Sequence, residues 1–235
     1  MLGIFWKVSG WLLLLTAVWT GPAFANHQVD EIEAILSDAV GAAVESKQSK
    51  SLSEEDQAYA DFLLAVYRHD SDARGKAETR YERLNTPECD AFLGSIEMLK
   101  ARDYQGGIFQ LLKRKRWVQK GIEKLDAATA AHPDDSKVRI VRAISYLGLP
   151  AFFGKFEEGL ADIETILRWI DGGKVSVPKE ETFFRDRASL YYYAGRYYLR
   201  KGEKKKAREM FSKVSDAAFH SPFAAAARKR IAALS

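Results

Sequence analysis

Tyr192, Arg196 and Arg200 stand four residues apart, a spacing that places all three on one face of a helix. Two guanidiniums beside a phenol ring can hold a carboxylate through paired hydrogen bonds while the ring supplies apolar contact. They are the partner-binding candidates, and the alternative is a solvated arginine ladder with a tyrosine at its edge. A second cluster is Lys113, Arg114, Lys115 and Arg116, followed by Trp117. Four adjacent cations can face anionic lipid headgroups or an acidic partner, each near charge being worth about 1 kcal/mol at a membrane surface. Their alternative is the polar junction between two helices. The aromatic group Phe152, Phe153 and Phe156, with Trp169, Phe183 and Phe184 further along, either lines an apolar ligand pocket or plugs a core.

Catalytic patterns are harder to find. His27, His69, His132 and His220 are scattered, and none is paired with a second ligand at metal-binding spacing. The chain contains no G-x-S-x-G, H-E-x-x-H or phosphate-loop pattern. Cys89 is the single cysteine, so no internal disulfide can form. Its flanks, Pro87-Glu88-Cys89-Asp90, set it early in a helix, where it reads either as a small half-buried side chain or as a favoured thiolate. The expectation is a non-enzymatic protein with no cofactor and no metal. A formal charge of +4 is too small an excess to indicate nucleic-acid binding.

Helices must position all of these residues. Alanine, leucine, lysine and glutamate dominate, there are six prolines, and no stretch alternates strictly over strand length. Apolar residues recur every three to four positions in 29–44. Ser53 with Asp56 caps a helix reaching Tyr67, with Tyr59, Phe62, Leu63 and Val66 inward. Ser71 caps the next, 72–84. Thr86-Pro87 starts another, to Ala101, carrying Phe92, Ile96 and Leu99. A longer helix is expected over 104–131, followed by a pair over 138–167 that turns at Gly154, with Pro150 ending the first member early. Residues 172–178 read as a loop.

The stretch 189–214 is the most specific. Tyr191, Ala194, Gly195, Tyr198, Gly202, Ala207 and Phe211 fall in the spacing W-x2-L-G-x2-Y…G…A-x3-F, and the segment resembles a tetratricopeptide repeat, with tyrosine in the tryptophan position. Residues 138–167 are similar, and Gly121, Leu125, Ala128 and Pro133 match the second-helix half. Gly121, Gly159 and Ala207 lie 38 and then 48 residues apart, so the period is irregular. The resemblance implies an all-α fold of antiparallel hairpins stacked in a right-handed superhelix, one domain over 26–235, with 222–234 as a capping helix carrying Phe223, Ala226 and Ile231. It also implies that the first helix of each hairpin lines a concave surface, with Tyr192, Arg196 and Arg200 on it.

Residues 1–25 carry one cation, Lys7, an apolar run from Val8 to Trp19, then Gly21-Pro22 and Ala23-Phe24-Ala25. The run is short for a membrane span, and the small residues fit a signal-peptidase site, so cleavage is expected before Asn26. The alternative is a retained anchor. Together these features suggest an exported, periplasmic or secreted protein-interaction or assembly adaptor with a protein or peptide partner. The other reading is a ligand-binding or accessory component of a transport system with an aromatic-lined interior. The oligomeric state and the partner's identity are not encoded in any motif.

Overall fold

The computed structural model describes residues 52–104, 110–175, 187–217 and 222–234, together with 34, 36–38, 41–42 and 44–45. The 1–25 segment, His27, His220, Phe183 and Phe184 lie outside the described residues. Among the described residues, helical positions within 34–45 precede these helices in chain order: α1 (Glu54–Tyr67), α2 (Ser71–Leu84), α3 (Pro87–Asp103), α4 (Leu111–Ala131), α5 (Ser136–Leu147), α6 (Phe156–Asp171), α7 (Arg187–Lys201), α8 (Lys204–Ala217) and α9 (Pro222–Ala233). A 3-10 turn, Ala151–Phe153, joins α5 to α6. The described residues contain no strand, so the fold is all-α.

Side-chain oxygens set four of the starts. The Ser53 hydroxyl accepts from the Asp56 backbone N–H, and the Thr86 hydroxyl from that of Cys89, satisfying donors that a helix start leaves open. At α2 the cap is Asp70 rather than Ser71. Its carboxylate takes both the Asp72 and Ala73 N–H groups, which a hydroxyl one residue later cannot reach. Asp135 caps α5 in the same way, accepting from Lys137 and Val138, so this helix opens two residues before the expected Val138. Helix α4 starts at Leu111, not Tyr104; Tyr104 ends α3 in an extended conformation. Gly202, at φ +85, makes the left-handed turn between α7 and α8 that glycine adopts without strain.

Consecutive helices pair as hairpins: α1 with α2, α3 with α4, α5 with α6, and α7 with α8, while α9 closes the end against α8 and α7. The first helices also meet, α1 with α3, α3 with α5, and α5 with α7. Hydrogen bonds between ends show that these first helices run in the same direction. Arg102, near the end of α3, donates to the Ala65 and Val66 carbonyls near the end of α1, at 2.6 and 2.8 Å. Arg200 at the end of α7 donates to the carbonyls of Leu147 and Leu149 after α5, at 2.7 and 2.9 Å. Lys137 at the start of α5 pairs with Glu88 at the start of α3, 3.1 Å away. The ends of α1, α3, α5 and α7 therefore share one edge of the molecule, the turn edge, and their starts share the opposite one, the connection edge.

Small residues sit where helices cross most closely. A Cβ on Gly121 of α4 would lie 2.6 Å from the Gly94 carbonyl oxygen of α3, and one on Gly195 of α7 would lie 2.5 Å from the Phe211 ring of α8. Ala207 and Phe211 are fully buried, as the repeat spacing requires. Gly159 is small for a different neighbour: a Cβ there would collide with the hydroxyl of Tyr197, from the next hairpin. Phe223 and Ala226 of α9 are buried against the stack, with Ile231 half-buried.

Candidate functional site

The three side chains expected to share a surface on α7 do not. Tyr192 is 1% exposed, and its ring meets Phe211 and Phe223 at centroid distances of 5.7 and 5.3 Å. It is core, which corrects its assignment as a groove residue. The cause is the position of α7. It has neighbours on several sides, α5, α6, α8 and α9, so Leu190, Tyr192, Tyr193, Tyr197 and Tyr198 are all buried. A one-sided apolar stripe is the signature of an outer helix, and α7 is an inner one.

Arg196 is half-buried, with its charge acting on the hydroxyls of Tyr67 and Tyr197. The Tyr67 hydroxyl is hydrogen-bonded to that of Tyr193, which ties the end of α1 to α7. Burial, with Tyr193 alongside, pushes the Tyr67 hydroxyl well above the ordinary phenol value, so it stays protonated and available as a donor. First and fourth hairpins thus meet across the first-helix side of the stack, and aromatic side chains occupy that side. Arg200 is spent on the α5 carbonyls named above, with Phe156 under its guanidinium at 5.1 Å. Such a bond satisfies carbonyls that a helix end leaves open.

A polar layer that the sequence reading did not anticipate links α4, α5 and α6. Asp162, fully buried, accepts from Arg139 at 2.6 Å and from Arg142 at 2.7 and 2.9 Å. Arg142 also donates to Asp126 at 3.0 Å, and Asp126 receives the Tyr146 hydroxyl at 2.6 Å and Lys155 at 2.9 Å. Burial alone would raise the Asp126 carboxyl, but the bonds from Tyr146 and Lys155 outweigh it and hold it below the usual carboxylate range. Tyr146 moves far upward through burial and the Asp126 contact. These hydrogen bonds are arranged as a lock between α4, α5 and α6. The one available hint was Asp162 on an otherwise apolar face with Ile163 and Ile166.

At the turn edge, the basic cluster is divided. Arg114 donates to the Ala101 carbonyl at 2.9 Å, and Lys113 lies over the Tyr104 and Trp117 rings at 5.0 and 4.9 Å. Lys115 and Arg116 are exposed. Phe153 and Phe156 pack against the core, whereas Phe152 is 53% exposed. Trp169 is half-buried between Arg139 and Lys174, which stand 5.4 and 4.4 Å from its ring centroid. Phe153 and Phe156 thus flank the core, and Phe152 is the exposed tip of that turn. Cys89 is buried, 3.1 Å from the Thr86 hydroxyl that donates to it.

The connection edge holds an open cleft of about 750 Å³ lined by Glu55, Thr86, Glu88, His132, Asp134 and Lys137. It lies where α1, α3 and α5 begin. His132 ends α4 here, while His69 sits at the opposite edge, 3.5 Å from Asp103. Among the described residues no group of three or more His, Cys, Asp or Glu side chains is placed to hold a metal ion, and no helix is long and apolar enough to cross a membrane. No family model, curated protein or solved structure matches this chain.

Proposed function

We propose that this chain is an exported, non-enzymatic adaptor, a tetratricopeptide-like stack of hairpins that holds a protein partner. The supporting observation is that the hairpins stack in one orientation and leave an open cleft at the edge where α1, α3 and α5 begin. Glu54, Glu55, Asp56, Glu88, Asp90, Asp134 and Asp135 gather where the first helices begin. The resemblance assigned the partner to the first-helix face; with Tyr192 and Tyr193 buried and Arg200 bonded to the Leu147 and Leu149 carbonyls, the partner surface moves to this acidic edge. There the cleft suits a basic segment of a partner protein, through opposite charge at its mouth. Export rests on residues 1–25, whose apolar run and Ala23-Phe24-Ala25 ending fit a cleaved signal peptide.

The test is affinity capture of the tagged full chain from its own host, with the Glu55→Lys, Asp134→Lys double variant in parallel. Both residues are exposed, so the fold should survive. A protein retained by the parent and lost by the variant supports the reading. A protein retained equally by both contradicts the assigned surface, and a retained small molecule with no protein contradicts the adaptor class.

A further inference from the structure

The hairpin-turn edge carries charge that the helices themselves do not favour. Lys113, Arg114, Lys115 and Arg116 fall in the first six residues of α4, and Lys204, Lys205 and Lys206 open α8; neither helix has an acidic residue in its first turn. A helix N-terminus is the positive end of the peptide dipoles, so cations there are disfavoured and acidic residues are preferred. The preference is obeyed by α1 and α3 on the opposite edge, through Glu54, Glu55, Asp56, Glu88 and Asp90, and by α2 and α6 on the turn edge, through Asp72, Glu157 and Glu158. The departure on the turn edge is therefore confined to the basic starts of α4 and α8.

Its remaining charges sharpen the field. The carbonyl ends of α1 and α5, which would present partial negative charge here, are taken by Arg102 and Arg200. Asp103 is bound by Arg74 and Arg102, Glu158 by Lys155, and Glu203 by Lys206. Asp70 and Asp72, at the start of α2, and Glu157, 4.0 Å from Lys201, are the acidic groups left on this edge. Lys115, Arg116, Lys204 and Lys205 are exposed beside them.

The second, independent observation is apolar. Among the described residues, Leu112 at 68% and Phe152 at 53% are the large hydrophobic side chains reported as exposed, and both lie on this edge. Leu112 stands in the first turn of α4, beside the basic cluster, and Phe152 at the tip of the α5–α6 turn, its ring tilted against that of Phe153 with centroids 4.5 Å apart. They belong to different hairpins, so they form separate apolar tips rather than one patch. Separate tips among cations match the boundary of an anionic bilayer, where each tip enters the acyl region and the cations meet headgroups. An acidic protein would be matched by the charges but would leave the tips unexplained.

We propose that the hairpin-turn edge docks this protein peripherally on an anionic lipid bilayer, with Leu112 and Phe152 inserted and Lys115, Arg116, Lys204 and Lys205 facing the headgroups. The inference stands apart from the partner cleft, which lies on the opposite edge. It is tested by co-sedimentation of the full chain with phosphatidylglycerol-containing and with pure phosphatidylcholine vesicles. Three chains are compared: the parent, a Lys115→Gln, Arg116→Gln, Lys204→Gln, Lys205→Gln variant, and a Leu112→Ser, Phe152→Ser variant. All share residues 1–25, so differences between them report on the edge. The parent should bind phosphatidylglycerol vesicles and lose that binding as salt rises. The charge variant should partition roughly a thousandfold more weakly, and the serine variant roughly a hundredfold more weakly. Unchanged melting temperatures verify that the exposed substitutions spare the fold. Equal binding of parent and charge variant to phosphatidylglycerol vesicles overturns the proposal, as does parent binding that ignores lipid charge. An acidic protein captured through this edge, with no difference on vesicles, overturns it as well.

Discussion

The buried face of α7 and the exposed turn edge use the same residue types for opposite purposes. On α7 the tyrosines point inward, Tyr192 filling the space between α8 and α9 and Tyr193 reaching Tyr67, while the exposed Arg200 reaches across to the end of α5. At the turn edge, Arg116, Lys205, Leu112 and Phe152 point outward. Residue type alone does not separate a holding surface from a structural joint. What separates them is whether the hydrogen-bond donors of a cation already have acceptors within the fold. Arg200 has two backbone carbonyls; its counterpart two hairpins earlier, Arg102, has two carbonyls and a carboxylate. The same joint is built twice, once in each half of the stack.

Substitutions on the two regions should therefore separate stability from docking. The largest loss inside the stack is expected at the polar layer. Asp162→Ala leaves Arg139 and Arg142 without their buried acceptor and should cost about 3–5 kcal/mol, read by urea unfolding; a loss under about 1 kcal/mol would show that the layer is dispensable. Next comes Arg200→Ala, which exposes the Leu147 and Leu149 carbonyls and should cost about 1–2 kcal/mol while leaving vesicle and partner binding as in the parent. A binding defect without a stability loss would return Arg200 to the role the repeat resemblance gave it.

The smallest effect is the acid response. Asp126 has its carboxyl held below the ordinary 3.8, so its contribution to stability is present above that value and is lost as pH falls through the lowered one. Asp61 moves the other way: burial raises it, against the pull of Arg80 and Lys76, and protonating it on acidification relieves a cost. The stability gap between the parent and Asp126→Asn should hold at neutral pH and close below about pH 3.8. A gap that stays constant into that range would mean that Asp126 is not ionised against Tyr146 and Lys155 in the fold.

Much of the framework was legible in the sequence because it is local. Caps at Ser53 and Thr86, the Gly202 turn, and the Gly195–Ala207–Phe211 contact depend on residues within one hairpin. The arrangements that were not legible depend on neighbours distant in sequence. Gly121 pairs with Gly94, 27 residues back rather than twelve, because α4 is long and begins late. Ala65 and Ala77, both fully buried, repeat the twelve-residue spacing of Gly195 and Ala207 in the first hairpin. That spacing was visible, but nothing in their own flanks marked it. Tyr192 was misread for the deepest reason: periodicity gives the width of an apolar face but not the number of neighbours packed around it.

The central claim is that α7 is an inner helix whose Tyr192 belongs to the core rather than to a binding face. The melting temperature of Tyr192→Ala tests it most directly. Deleting a ring buried against Phe211 and Phe223 should cost about 3–5 kcal/mol and lower the melting temperature by roughly 10 °C. A melting temperature within about one degree of the parent, with partner binding lost, would place Tyr192 on the surface and contradict the account.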